Sequence, residues 1–264
     1  MCGISRLAAN ALFAVSLAGL STAAMAVDDW DVGAIKDNTA ATTRNELARG
    51  EWQMHDLEAI GGVADEDWYD VPTTSFRTYQ VAIGQVTGDA PIDNADFLTL
   101  WDAAGTTLLA TANAAAGATS KVIRFDSQAG TSFRVRVKGS VGSTATARYA
   151  INVVESTMYC PRYNNSGTQS SVVIIQNTTN GPCSVGISFI IEDGTSSQFT
   201  AGTVPSAGTL VVAGGSVAGV PGTTGRVQIL PNLPNRCSPS ALKAKVVALE
   251  PSTGFSFDTL CERR

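Results

Sequence analysis

One histidine, His55, serves all 264 residues. A Ser/His/Asp or Cys/His relay and any multi-histidine metal centre would all draw on that single ring, so most hydrolase mechanisms are excluded or strained. Basic residues are also few: eighteen Lys plus Arg stand against twenty-three Asp plus Glu, for a formal net charge of −5. Such a chain lacks the positive field whose counterion release drives nucleic-acid binding, which excludes nucleic acid as a partner. There is no Gly-x-Ser-x-Gly elbow, Rossmann fingerprint, phosphate loop or EF-hand loop. Beyond residue 26 no apolar run is long enough to span a bilayer. What is present is 44% hydrophobic and 16% charged residues, enough to bury a core in one or two compact units.

Met1 to Ala26 carries Arg6, an apolar run from Leu7 to Leu20 and then Ala24-Met25-Ala26. That charged, hydrophobic, small-residue order is that of a secretory signal peptide cleaved after Ala26. Asn10 and Ser16 interrupt the run, which falls short of the roughly 20 residues of a spanning helix. Cys2 leaves with the peptide. The remaining four cysteines, Cys160, Cys183, Cys237 and Cys261, all lie in the last part of the chain. An even number in an exported chain predicts two disulfides, each stabilising by about 2–4 kcal/mol. Three pairings are open; Cys160–Cys261 with Cys183–Cys237 is favoured because the first would clasp the ends of the unit. A zinc site lacks any Cys-x-x-Cys or nearby histidine.

From about residue 50 the pattern has the period of a β-strand. In Phe133-Arg134-Val135-Arg136-Val137-Lys138 apolar and basic residues alternate, as they do on a half-buried strand. Tyr79 to Ile83, Phe97 to Trp101 and Tyr149 to Val153 read the same way, with Asp102 to Gly105 and Gln128 to Gly130 as turns. A second series comprises Ser171 to Gln176, Val185 to Ile191, Thr209 to Val212, Arg226 to Leu230, Leu242 to Leu249 and Gly254 to Thr259. Asn38 to Leu47, rich in Ala, Glu and Arg, is the one stretch expected to be helical. Acidic residues dominate from Val27 to Glu155; basic ones slightly exceed them afterwards, where all four late cysteines lie. The expected organisation is a signal peptide (1–26), a linker (27–49), a sandwich over 50–155 and a second over 156–264, all-β and antiparallel.

Several runs in the first sandwich are similar to the bacterial pre-peptidase C-terminal (PPC) domain. They are Asp65-Glu66-Asp67-Trp68-Tyr69, Thr78 to Val81, Asp96 to Gly105, Ala129 to Val137 and Arg148 to Val153. The resemblance implies a jelly-roll-like secreted β-sandwich, a non-catalytic accessory module, with calcium bound by some members. Tyr159 to Tyr163, Ser171 to Asn177 and Ala248 to Asp258 resemble an immunoglobulin-like sandwich found as a tail on exported bacterial proteins.

Five candidate constellations follow. Asp65, Glu66, Asp67 and Asp70 crowd carboxylates into six positions, and the resemblance brings further calcium ligands from the preceding linker, here Asp37 and Asn38. The expected metal set is Asp37, Asn38, Asp65, Glu66 and Asp67, weighed against an ordinary solvated acidic loop. Asp89, Asp93, Asn94 and Asp96 form a second acidic loop without EF-hand spacing. His55 with Asp56 and Glu58 is read as a half-exposed strand residue rather than a catalytic base. Arg124, Arg134, Arg136, Lys138 and Arg148 are placed on the outer face of one sheet, solvated and paired across strands, and Trp30, Trp52, Trp68 and Trp101 are placed in the core. The expected protein is a secreted, non-catalytic binding or adhesion module, extracellular or periplasmic, for an extracellular polysaccharide or protein ligand. The alternatives are a self-associating subunit of an extracellular assembly and, last, a cryptic secreted hydrolase.

Overall fold

The computed structural model describes residues 37–112, 119–127, 132–194, 197–231 and 238–263. The signal-peptide expectation, Trp30 and Cys237 lie outside that set. Among the described residues there is no α-helix, and no helix is long and apolar enough to cross a membrane.

Eight strands make the first half: β1 (Gln53–Asp56), β2 (Glu66–Val71), β3 (Arg77–Thr87), β4 (Leu98–Trp101), β5 (Leu108–Thr111), β6 (Lys121–Ser127), β7 (Phe133–Lys138) and β8 (Arg148–Glu155). They form two antiparallel sheets ordered β1-β8-β3-β6 and β2-β7-β4-β5, the strand order of an eight-stranded jelly roll. The alternation read from the sequence decides which face of each strand is buried. Tyr69, Val71, Val135, Val137, Leu98 and Leu100 from one sheet meet Tyr79, Val81, Ile83, Ile123, Tyr149 and Ile151 from the other in one core.

The second half contains β9 (Met158–Asn164), β10 (Ser170–Asn177), β11 (Cys183–Ile191), β12 (Ser197–Val204), β13 (Thr209–Ala213), β14 (Thr224–Pro231), β15 (Leu242–Glu250), β16 (Phe255–Leu260) and β17 (Glu262–Arg263). Its sheets are ordered β13-β10-β15-β16 and β12-β11-β14-β9-β17 around a separate core that includes Tyr163, Ile175, Phe189 and Ile229. The pairs β10–β13 and β11–β14 match the central pairs of an immunoglobulin sandwich. The first strand, β9, lies beside β14, and the late β15 lies beside β10, so the outer strands trade places relative to that fold. Cys160 of β9 is bonded to Cys261, just before β17, across 101 positions. Cys183 is disulfide-bonded as well.

The stretch expected to be helical, Asn38 to Leu47, is instead a turn followed by extended chain. Thr42 and Thr43 both donate backbone N–H groups to the Thr39 carbonyl, closing the turn. Beyond it Thr43, Asn45 and Leu47 are buried in alternation with exposed Arg44 and Glu46. Glu46 bridges Asp70 in parallel and Arg49 bridges Val153, so the segment lies along the β2 edge and then crosses to β8. Good helix formers lose here because an open sheet edge offers backbone partners that a short isolated helix lacks.

Two residues, Ser156 and Thr157, connect β8 to β9. Both are buried and tied to Thr78 of β3: Ser156 N–H donates to its carbonyl at 2.7 Å, and its own N–H donates to Thr157 Oγ1 at 2.9 Å. Beside them the carboxylate of Glu155, 6% exposed, meets Arg49 at 3.2 Å and Arg77 at 3.8 Å, and accepts a hydrogen bond from the Tyr159 hydroxyl. The Arg77 guanidinium also lies 4.6 Å from the Tyr159 ring centre.

Replacing both Cys160 and Cys261 by serine removes a cross-link spanning the second sandwich. The expected result is a loss of about 2–5 kcal/mol confined to that half. Calorimetry of the reduced-equivalent variant should show one transition lowered and the jelly-roll transition unmoved.

Candidate metal centre

Alternation along β2 sorts its acidic residues by face. Asp67 points inward with Tyr69 and Val71 and is fully buried, whereas Glu66 points outward, 3.4 Å from Arg136 and 3.6 Å from Lys138. Asp70, also outward, pairs with Arg134 at 3.1 Å. Asp37 reaches the same interior place from the N-terminal segment, held there because its carbonyl accepts the Trp68 N–H at 2.9 Å. From the facing sheet comes His55 on β1, opposite Tyr149 of β8. Ligand atoms of Asp37, His55 and Asp67 all lie within 4.8 Å of one another, and all three residues are buried. That span is about twice a Ca²⁺–oxygen bond of ~2.4 Å, so one cation can contact all three.

His55 is therefore not a half-exposed strand residue: it is 2% exposed. Its ring stacks on Tyr149 at 5.7 Å between centres and meets the edge of Tyr69 at 5.1 Å, while Nε2 lies 3.4 Å from Gln53 Oε1. The Tyr149 hydroxyl donates to Asp67 Oδ2 at 2.5 Å and accepts from Tyr69 at 2.5 Å. Burial, then Asp67 and Tyr69, push the Tyr149 phenol well above its usual 10. At neutral pH it stays protonated and serves as the donor that Asp67 needs.

Around this centre Asn45 Nδ2 donates to Asp37 Oδ2 at 3.3 Å, and Asn45 Oδ1 is buried with no hydrogen-bond partner among the described residues. Asn38 Nδ2 donates to Asp65 Oδ1 at 3.0 Å, and the same oxygen accepts the Glu66 N–H at 2.9 Å. Of the five residues expected as ligands, the fold thus brings Asp37 and Asp67 together, places Asn38 and Asp65 against each other, and turns Glu66 to the outer face. The donor that sequence reasoning left out is His55. No strand phase singled it out, since His55, Asp56 and Leu57 are all buried in succession.

The other constellations are structural. Asp89 accepts from the Thr144 N–H and hydroxyl, each at 3.1 Å, and Asp96 pairs with Lys138 at 3.3 Å. The basic residues do not share one sheet: Arg134, Arg136 and Lys138 lie on β7, but Arg124 and Arg148 lie on β6 and β8 of the facing sheet. Trp68, only 6% exposed, packs against Trp101 at 5.4 Å on the face of β2 opposite Tyr69, with Arg136 over both rings. Trp52 is 50% exposed.

No protein-family model matches the chain, and no curated protein matches it. Among solved structures it is aligned with a Bacteroides uniformis beta-glucuronidase 2 at 9% identity and a TM-score of 0.18, over 83% of this chain and 32% of that one. A beta-glucuronidase from glycoside hydrolase family 2 aligns at 11% identity and a TM-score of 0.19, over 78% of this chain and 25% of that one. The chain thus spans about a third or less of the length of these enzymes.

Substituting Tyr149→Phe removes the donor to Asp67 inside the core and is expected to cost about 1–3 kcal/mol in urea unfolding at pH 7. The raised Tyr149 pKa fixes the sign at high pH. Its contribution is constant below about pH 10, the unfolded value, and is lost above it as the unfolded chain releases a proton that the folded chain retains. Stability measured from pH 9 to 11.5 should fall more steeply in the wild type than in Tyr149→Phe.

Proposed function

We propose that the protein is an exported, non-catalytic binding module of the PPC-like kind, in which a divalent cation at Asp37, His55 and Asp67 fastens the N-terminal segment to the jelly roll. The observation that carries this is the burial of the single histidine between two carboxylates that arrive from different parts of the chain. An imidazole committed to the interior against two tyrosines supplies no base to a solvent-facing substrate. The same three donors close an edge of the sandwich if a cation joins them. The disulfide fits an oxidising compartment, which supports export.

The donor set bears on the choice of ion. Calcium takes six to eight oxygens, and the imidazole is foreign to such a set; two carboxylates with one imidazole suit Zn²⁺ or Mn²⁺ better.

Metal-stripped protein should melt several degrees higher on addition of Zn²⁺ or Mn²⁺ at a hundredfold excess over Kd, the equivalent of about 2.7 kcal/mol. Asp67→Asn and His55→Gln should each remove the gain. A calcium gain that survives His55→Gln would assign an oxygen-only site, and superimposable melts with every metal and with chelator would refute the cation.

A second reading, a subunit of an extracellular assembly, is supported by β16. This outermost strand carries Phe255, Phe257 and Leu260 at 64%, 46% and 69% exposure, an apolar edge of the kind that pairs with another chain. Light scattering of the purified protein decides it: a concentration-dependent oligomer that Phe257→Glu dissociates supports the subunit, and a monomer at every concentration removes it.

A further inference from the structure

Between the two sandwiches lies a cleft of about 470 Å³ that none of the constellations above touches. Its floor is the outer face of the sheet β12-β11-β14-β9. A single cross-strand row runs over it, with Phe199 opposite Ser188 and Ser188 opposite Gln228. In the next row Arg226 is opposite Ile190. The facing wall is the turn before β3 together with the end of β6, contributing Phe76 and Asp126.

Both phenylalanines are held with their rings in the open. Phe199 is 63% exposed, and it lies down across the sheet because Gly186 leaves room beneath it: a Cβ at Gly186 would stand 2.7 Å from the ring. Phe76 is 65% exposed at φ +56, a left-handed conformation unfavourable for a bulky residue. Burial of the ring does not compensate that strain. Gln228, by contrast, is 4% exposed and lines the cleft from below.

The chemistry of the lining selects its ligand. Two apolar ring faces stand among hydroxyls, an amide, a carboxylate and two guanidinium groups; Arg77 is engaged by Glu155, and Arg226 and Asp126 supply charges of opposite sign. A pyranose presents the complement: a flat C–H face that packs on an aromatic ring and equatorial hydroxyls that bridge amide, guanidinium and carboxylate groups. An extended peptide is served poorly. The floor is a sheet face in which β11 and β14 are each paired on both sides, so their backbone groups cannot add a strand; the edge strand β12 borders that face rather than crossing it. The volume falls within the ~300–1,000 Å³ of small-ligand sites and holds a short oligosaccharide.

We infer that this cleft binds a neutral glycan chain, with sugar rings stacked on Phe199 and Phe76 and hydroxyls held by Gln228, Ser188, Arg226 and Asp126. This deepens the binding-module reading and rests on it. Affinity electrophoresis through gels containing β-glucan, α-glucan, xylan, mannan or soluble chitin derivatives tests it, with calorimetry on the matching oligosaccharides. The expected result is retardation by at least one neutral polysaccharide, with affinity falling tenfold or more in Phe199→Ala and in Phe76→Asn, the latter chosen because asparagine tolerates a positive φ. Both residues are exposed, so melting temperatures should stay within a few degrees of wild type. Wild-type protein retarded by none of the polysaccharides overturns the glycan assignment, and so does retardation that both variants retain. Release of reducing ends during incubation would instead defeat the non-catalytic reading while leaving the cleft as the glycan site.

Discussion

The carboxylate of Glu155 at the joint between the two sandwiches is the contact on which the molecule's shape depends. It is nearly buried, it holds Arg49 and Arg77, and it accepts from Tyr159. These partners come from three places: the N-terminal segment, the start of β3 and the first strand of the second sandwich. A buried charge left without partners is costly, by about 3–5 kcal/mol when one side of a buried pair is removed. Any rotation that parts the halves takes the Tyr159 hydroxyl from that anion and uncovers it, although Arg49 and Arg77 move with it. With only Ser156 and Thr157 between β8 and β9, and both bonded to Thr78, the joint behaves as a packed interface rather than a tether. The cleft walls keep their separation for this reason.

The interior of the jelly roll has a polar end. Tyr69, Tyr149, Asp67, His55 and Asp37 form a connected group where most sandwiches carry aliphatic side chains, and the N-terminal segment supplies one of its carboxylates together with Leu47 of the apolar core. The segment is therefore part of the first sandwich: it covers the β2 edge and completes the core end. A cation there would add charge neutralisation to a fold that already directs the Tyr149 proton towards Asp67.

Strands with one apolar face could be read directly from the sequence. β3 and β7 alternate strictly enough that their buried faces follow from residue type. Others could not. β12 reads Ser-Gln-Phe-Thr-Ala-Gly-Thr-Val and is half-exposed on both faces, so no period stands out; β5 is almost wholly exposed. The helix expected over Asn38 to Leu47 failed because propensity is a local signal, and the open edge of β2 is a tertiary fact. The acidic run at residues 65–67 is legible by composition alone. Which of its members face inward depends on strand phase, and the imidazole that joins them comes from the opposite sheet. The cleft left no trace in the sequence, since its two walls are brought together only by the joint at Glu155.

The Cys160–Cys261 bond has a mechanical consequence. Cys160 lies five residues past Glu155, and Cys261 lies just before β17, the last strand of the second sandwich among the described residues. A pull between the jelly roll and the C-terminus is carried through the sulfur atoms, bypassing nearly all of the second sandwich. Its hydrogen-bonded ladders bear almost no load, so the domain would stay folded under shear that would unzip an unlinked one.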